Sequence, residues 1–380
     1  MSAQKRVHLN TAGAAVPLPA AVEAFTQFTL LEAELGPYEA EERYAGQLGE
    51  DVYAAVGRLL GAPAGTIALF ASATDAWCRT VCNLRLSRGS RIWVTPYEYA
   101  GNLIALRLLA DRLGCRIEVV PTLPDGDLDL DWMRRELDER VALVSVVHIP
   151  SGCGIVLPVA EIGAILTGSD AVYVVDACQS VGHLPLDVAQ IGCDILTGAG
   201  RKFLRGPRGS GFAYVARSLW DRIELPFYDL HVADVDASGA FRLECATAAR
   251  FETAERSGAA VLGLLAAAEH AHERAHAADS EVFDALTGAV RRAPGVQLLA
   301  PGSTHSGIVS FVHADVPAER IRAFLANEGV HVWVGTGSHT PLYHAARGVD
   351  RFVRASVHYY NDLGDIDRFG RALATALADH

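Results

Sequence analysis

The sequence predicts an α/β protein with a large, mostly parallel seven-stranded sheet and a smaller C-terminal α+β unit. Three observations carry this. Between residues 65 and 215, short β-rich runs alternate with helical patterns, the signature of a parallel sheet covered by helices on both faces. Runs such as VALVSVV and AVYVVD are near-continuously apolar, as strands buried on both sides are. After residue 250 the texture changes to an Ala-rich stretch followed by shorter mixed patterns.

In chain order, the strands are expected at Ile67–Phe70, Arg91–Thr95, Arg116–Val120, Ala142–His148, Ala171–Asp176, Asp194–Thr197 and Ser210–Val215. Amphipathic stretches between them, Gly101–Leu113, Leu130–Leu137 and Val159–Leu166, supply crossover helices. Ser257–Ala278 reads as one long helix. The expected division is a large domain over 13–252 and a small domain over 253–380, with residues 1–12 forming an N-terminal segment near the active site.

The chain has 380 residues, ample for a sizeable core. Its 33 basic and 45 acidic residues give a net charge of -12. That balance argues against a nucleic-acid partner, which would call for a basic stripe, and against an anionic membrane surface. The apolar runs, such as Ala259–Ala268, are too short to span a bilayer. Cysteines 78, 82, 115, 153, 178, 193 and 245 are scattered, without a CxxC pair. The start, MSAQKRVHLNTAG, has no apolar stretch of the secretory kind. Reduced thiols in the cytoplasm are therefore expected.

Ligands of open parallel sheets sit beyond the carboxyl ends of the strands. There, YVVDACQSVG ends a strand at Asp176, with Gln179 three residues on. The strand CDILTG leads into AGRKFLRGPRGSGFAYV, placing Lys202 in a loop rich in Gly and Arg, suited to a phosphate. LFASATDAW opens a helix at Ser72–Thr74, another place for an anion. Each element alone also fits ordinary capping or a solvated loop. Together they supply an amine for a Schiff base, an acid for a pyridinium nitrogen and phosphate ligands, which is what pyridoxal phosphate requires of a protein.

From HLNTAG to RASVHYYN the chain resembles the class V aminotransferase family of fold-type-I pyridoxal-phosphate enzymes. That family holds cysteine desulfurases, isopenicillin N epimerase-like proteins and cysteine C–S lyases. DACQSVGHLPLDV and GRKFLRGPRGSGFAYV carry the resemblance most specifically. It implies that Lys202 is the Schiff-base lysine, Asp176 the partner of the pyridine nitrogen and Gln179 that of the phenolic oxygen. It also implies that Ala73 and Thr74 bind the phosphate, that Tyr99 stacks on the ring in place of a histidine, and that Arg354 grips the substrate carboxylate. A homodimer with sites at the interface is implied too.

The departures bear on the reaction. Desulfurases carry a nucleophilic cysteine in the loop that here reads GTGSHTPLYHAARG, and no cysteine follows Cys245. Without a thiol no persulfide forms there. Ala199 replaces a phosphate-binding serine and Arg201 a histidine; the charge of Arg201 restores a phosphate contact. RFETAERS has lost the Gly-Thr that reaches the partner's phosphate, so that contact stays unassigned. His8, Asn10 and Thr11 either line the site or tether the terminus. Trp333, His339 and His344 are candidates for substrate specificity. His272, Glu273 and His276 spell HExxH, but no third zinc ligand follows, and no metal is expected. The glycines around Lys202 come too late in the sheet for a dinucleotide fingerprint.

The expected reaction is β-elimination from an S-conjugated cysteine. Cα–H is lost to Lys202, the thiol leaves from Cβ, and pyruvate and ammonia follow. Epimerisation, transamination and decarboxylation linked to deamination are the alternatives from the same site. A non-catalytic protein on the same fold is the reading from a different class.

Overall fold

The computed structural model describes residues 6–274 and 280–378. All seven expected strands are present, shifted by a residue or two at their ends: β1 (Ile67–Phe70), β2 (Arg91–Val94), β3 (Arg116–Val119), β4 (Val141–Val147), β5 (Val172–Asp176), β6 (Ile195–Ala199) and β7 (Gly211–Val215). They form one sheet in the order β1-β7-β6-β5-β4-β2-β3. β7 runs antiparallel to both neighbours, and the remaining pairings are parallel. β5, β6 and β7 are buried at every position, which accounts for their mostly apolar composition; the exceptions include Asp176 at the end of β5 and Thr197 in β6. β3, at the edge, is half-open and carries Arg116 and Glu118. The chain steps outward from β2 to β3 and then back across from β4 to β7. The direction of travel thus reverses between β2 and β4, the kind of switch point where open α/β sheets bind ligands.

Several helices that the sequence reading does not anticipate precede the sheet, the longest of them α1 (Pro19–Leu35) and α2 (Val52–Leu60). Within the sheet region, α3 (Ala73–Arg79) and α4 (Ala100–Leu113) follow β1 and β2. The long Ala-rich element appears as α5 (Gly258–Arg274). α5 lies against both α1 and α2. The contact with α1 is close: a Cβ on Gly258 would sit 2.4 Å from the Phe28 ring. Ala259, Leu262 and Leu264 of α5 join Phe28, Val56 and Leu60 in the core under the large sheet.

A second core lies under a four-stranded antiparallel sheet of β8 (Val296–Leu298), β9 (Ile308–His313), β10 (Trp333–Thr336) and β11 (Arg351–Ser356), in the order β8-β9-β11-β10. Residues 7–8 pair in parallel with 330–331, and Val7 and Leu9 are buried in this second core. The N-terminal segment therefore spans from the second core to the lysine loop. The division at 252/253 falls ahead of α5, whose buried face belongs to the first core; we propose that the passage between the two units comes after Arg274.

Candidate active site

The carboxyl ends of β1, β2, β4, β5 and β6 surround one cleft of about 910 Å³. Asp176 is the last residue of β5 and is buried. Its Oδ1 accepts the Cys178 N–H at 2.9 Å, and its Oδ2 accepts from Asn102 Nδ2 at 2.8 Å. Asn102 stands in the first turn of α4, and its Nδ2 also donates to Glu98 Oε1 at 3.0 Å. Glu98 is fully buried; its Oε1 also accepts the Tyr99 N–H and its Oε2 pairs with the Ser145 hydroxyl. Burial pushes the Glu98 carboxyl up to about 7, against the pull of the Ser145 and Asn102 hydrogen bonds.

Lys202 projects from the loop after β6. Burial lowers the pKa of its amine; Cys178 and Asp176 oppose that, and the charges of Arg201 and Arg354 reinforce it. Arg201 donates through Nη1 to the Gly13 carbonyl. Burial, with Arg208 beside it, lowers the Arg201 pKa as well. Three cations, Arg201, Lys202 and Arg208, thus face one cleft. The loop is held in place by Arg205, whose left-handed backbone (φ 62°) is rare for a side chain of its size. Its guanidinium donates to the carbonyls of Val16 and Pro17 and to the Tyr359 hydroxyl, and it packs over the rings of Tyr359 and Tyr360.

The hydroxyl-rich turn approaches from β1. Ser72 caps α3 by accepting the Asp75 N–H at 3.1 Å. The turn lies directly on β7, because a Cβ on Gly211 would fall 2.4 Å from the Ser72 carbonyl carbon. Trp77, one turn into α3, fixes the floor by donating its indole N–H to Thr197 Oγ1 at 3.2 Å.

Of the residues singled out from sequence, Ala73, Thr74, Tyr99, Asp176, Gln179, Arg201 and Lys202 line this cleft together. Gln179 donates through Nε2 to the Ala12 carbonyl, and its buried Oε1 has no partner among the described residues. Arg354, on β11, is not itself a lining residue but lies buried behind one: Nη1 donates to the carbonyl of Ser151, which lines the cleft, at 3.2 Å, and Nη2 to Asn10 Oδ1 at 3.4 Å. Its buried Nε has no partner among the described residues. Burial and the charge of Arg201 push its pKa down to about 10.

His8 and His339 are not brought to the cleft wall. His8 bonds the Ala14 carbonyl, tethering the N-terminal turn. The His339 ring caps its own turn through Thr336, while its neighbour Thr340 lines the cleft. Trp333 lies on the surface beneath Arg322, and His344 is buried against Phe352. Thr11 bonds the Tyr360 hydroxyl. His272 and Glu273 of the HExxH run lie on α5, whereas His276 lies outside the described residues. The sequence reading missed Glu98, Asn102, Trp77 and Arg208. The first two flank Tyr99 four residues apart across a strand end, a spacing that puts both side chains on one face of the helix start.

A strand-terminal acid, an amine in an Arg- and Gly-rich loop and a buried amide with an open acceptor define a cleft that fits pyridoxal phosphate. The family model for Aminotransferase class-V matches residues 7–369. The chain belongs to that family, whose cofactor is pyridoxal 5'-phosphate. It is 33% identical over 310 residues to a probable cysteine desulfurase 2 of Mycobacterium leprae (strain TN), covering 76% of this chain and 69% of the relative. Its fold matches the apo cysteine desulfurase of Thermococcus onnurineus NA1, with TM-score 0.90, 24% identity and coverage of 99% and 95% of the two chains. It also matches the cystine C–S lyase C-DES, solved with its reaction product cysteine persulfide, with TM-score 0.84, 24% identity and 97% of each chain covered. No helix among the described residues is long and apolar enough to cross a membrane.

Proposed function

We propose that this protein is a pyridoxal-phosphate lyase that cleaves the Cβ–S bond of an S-conjugated cysteine by β-elimination. One water is consumed, and a thiol, pyruvate and ammonium are released. The loop over residues 335–348 carries this reading: it contains no thiol, and Thr340 is its residue on the cleft wall. A hydroxyl cannot hold sulfur as a persulfide, so the sulfur leaves on its own substituent. Cys178 does reach the cleft, but burial and the neighbouring Asp176 keep its thiol protonated and a poor nucleophile.

Pyridoxal phosphate bound in this cleft supplies an electrophilic carbon for the substrate nitrogen and a sink for electrons. Lys202 anchors it and, once displaced by substrate, moves the proton at Cα. Its lowered pKa leaves a larger fraction as the free amine that this step requires. Asp176 would hold the ring nitrogen, and Gln179 and Tyr99 would contact the ring. Arg201, with Ala73 and Thr74, takes the phosphate. Arg354 binds the substrate carboxylate through N–H groups that the protein leaves open or bonds only loosely, and Asn10 steadies its guanidinium. His8 and His339 act as tethers behind this contact.

The homodimer implied by the family is part of the proposal. It is supported by exposed apolar side chains on α4, Ile104 and Leu108; sedimentation measures the oligomeric state.

The test is a product assay on a panel of cysteine S-conjugates and free cysteine, read by mass spectrometry. Pyruvate and free thiol in equal amounts support the lyase. Alanine from free cysteine, an unchanged carbon skeleton with exchanged Cα–H, or an aldehyde with CO₂ would overturn it while leaving the cofactor in place.

A further inference from the structure

The cofactor reading uses Asp176 but gives no role to the acid behind it. Glu98 is fully buried, Ser145 is 1% exposed and Asn102 is 5% exposed. Glu98, Asn102 and Ser145 lie just before α4, in its first turn and within β4, and they converge through hydrogen bonds of 2.8 to 3.0 Å. One amide nitrogen, Asn102 Nδ2, donates to both acids. An NH₂ group has two protons, so this arrangement uses its donors completely and fixes both carboxyl groups.

A buried Glu98 bridged in this way to a second acid is disfavoured from ionising. Asp176 is the charge that raises Glu98, after burial. The proton on Glu98 has one place to go. Oε1 already accepts from the Tyr99 N–H and Asn102, so the proton belongs on Oε2 and is donated to Ser145 Oγ. A hydroxyl can reverse its direction to allow this. Beyond the pair, the charge of Asp176 also reaches Cys178 on the turn after β5 and Lys202 from the opposite loop.

We propose that Glu98 and Asn102 are positioning residues for the cofactor's ring nitrogen. Asn102 holds the Asp176 carboxylate in place, and the proton on Glu98 sets how much negative charge stands behind it. With Glu98 neutral, Asp176 alone balances the protonated ring nitrogen. With Glu98 ionised, a second negative charge holds the ring proton more firmly. The positive ring in turn favours the ionised acid, so in the holoprotein Glu98 titrates lower than its value of about 7 in the ligand-free protein.

This rests on the assignment of Asp176 to the ring nitrogen, and the experiment separates the two claims. The holoprotein is reconstituted with pyridoxal phosphate carrying ¹⁵N in the ring, and its nitrogen chemical shift is followed against pH. Wild type is expected to show a step that Glu98→Gln lacks. Ser145→Ala removes a hydrogen bond to the anion and is expected to move the step to higher pH. Asn102→Ala is expected to weaken cofactor retention about tenfold. Asp176→Asn is expected to change the shift at every pH. If Asp176→Asn changes the shift while Glu98→Gln titrates as wild type does, the role of Glu98 is refuted. If Asp176→Asn leaves the shift unaltered, the assignment of Asp176 itself fails. Should Glu98→Gln not fold, Ser145→Ala decides, and an unmoved step would overturn the proposal.

Discussion

Asp176 and Arg354 stand at the two ends of one site, and each is only 7% exposed. They are treated differently. Both oxygens of Asp176 are taken by N–H donors at 2.8 and 2.9 Å, from a turn and a helix of the same structural unit. Arg354 makes longer bonds of 3.2 and 3.4 Å to Ser151 and Asn10, its Nε has no partner among the described residues, and Arg201 is the charge acting on it. A buried charge without a counter-charge is costly, and under the proposed function an anion from outside the chain completes the Arg354 end. On that proposal the difference separates a permanent ligand from a transient one. The Asp176 end, proposed to hold the cofactor, is preorganised by the fold, and the Arg354 end, proposed to hold substrate, keeps open hydrogen-bonding capacity.

The comparison can be broken first at the residue between the two ends. Lys202→Ala is expected to lower kcat by about 10³-fold or more, because the anchor and the Cα base are lost together. If turnover survived, neither end would matter to the reaction.

The closed end can be probed by acid. His148 follows β4 and donates its backbone N–H to the Asp176 carbonyl. Burial pushes His148 and His183 down to about 4 from 6.5. Such a depressed pKa contributes stability that is fully present above pH 6.5 and lost as the pH falls towards 4. The loss approaches about 3 kcal/mol for each histidine. Denaturant unfolding of the apoprotein at pH 7 and near pH 5 should show it, and His148→Gln should flatten the slope.

The open end is sharpened by a charge-conserving change. Arg354→Lys keeps the charge but not the fork, so KM should rise about 30-fold with kcat little altered, a loss of about 2 kcal/mol in substrate binding. An unchanged KM would mean that the substrate carboxylate binds elsewhere. The smallest effect is expected at the mouth. Tyr99→Ala removes one ring face from a 41% exposed position and should cost about 1 kcal/mol, a roughly fivefold fall in kcat/KM.

What was legible in the sequence follows the same division. The seven strands could be read because burial on both faces leaves near-continuous apolar runs such as VALVSVV, in which Ser145 is the one polar residue. Lys202, Asp176 and Gln179 could be read because each sits within a few residues of a strand end. Glu98 and Asn102 escaped because their partners, Ser145 and Asp176, are 47 and 74 residues away, and only the packed sheet brings them together. α1 and α2 escaped because their burial comes largely from α5, more than 190 residues later. His8 and His339 carried chemistry in their residue type, but local hydrogen bonds to Ala14 and Thr336 hold their rings. A residue type alone does not say which way a ring turns.

The most direct test of the central claim is borohydride reduction of the holoprotein followed by peptide mapping. The account predicts that the visible absorbance bleaches and that the pyridoxyl mass is found on the peptide containing Lys202, and nowhere in a Lys202→Ala protein. A pyridoxyl group on another lysine, or full colour and turnover retained by Lys202→Ala, would contradict it.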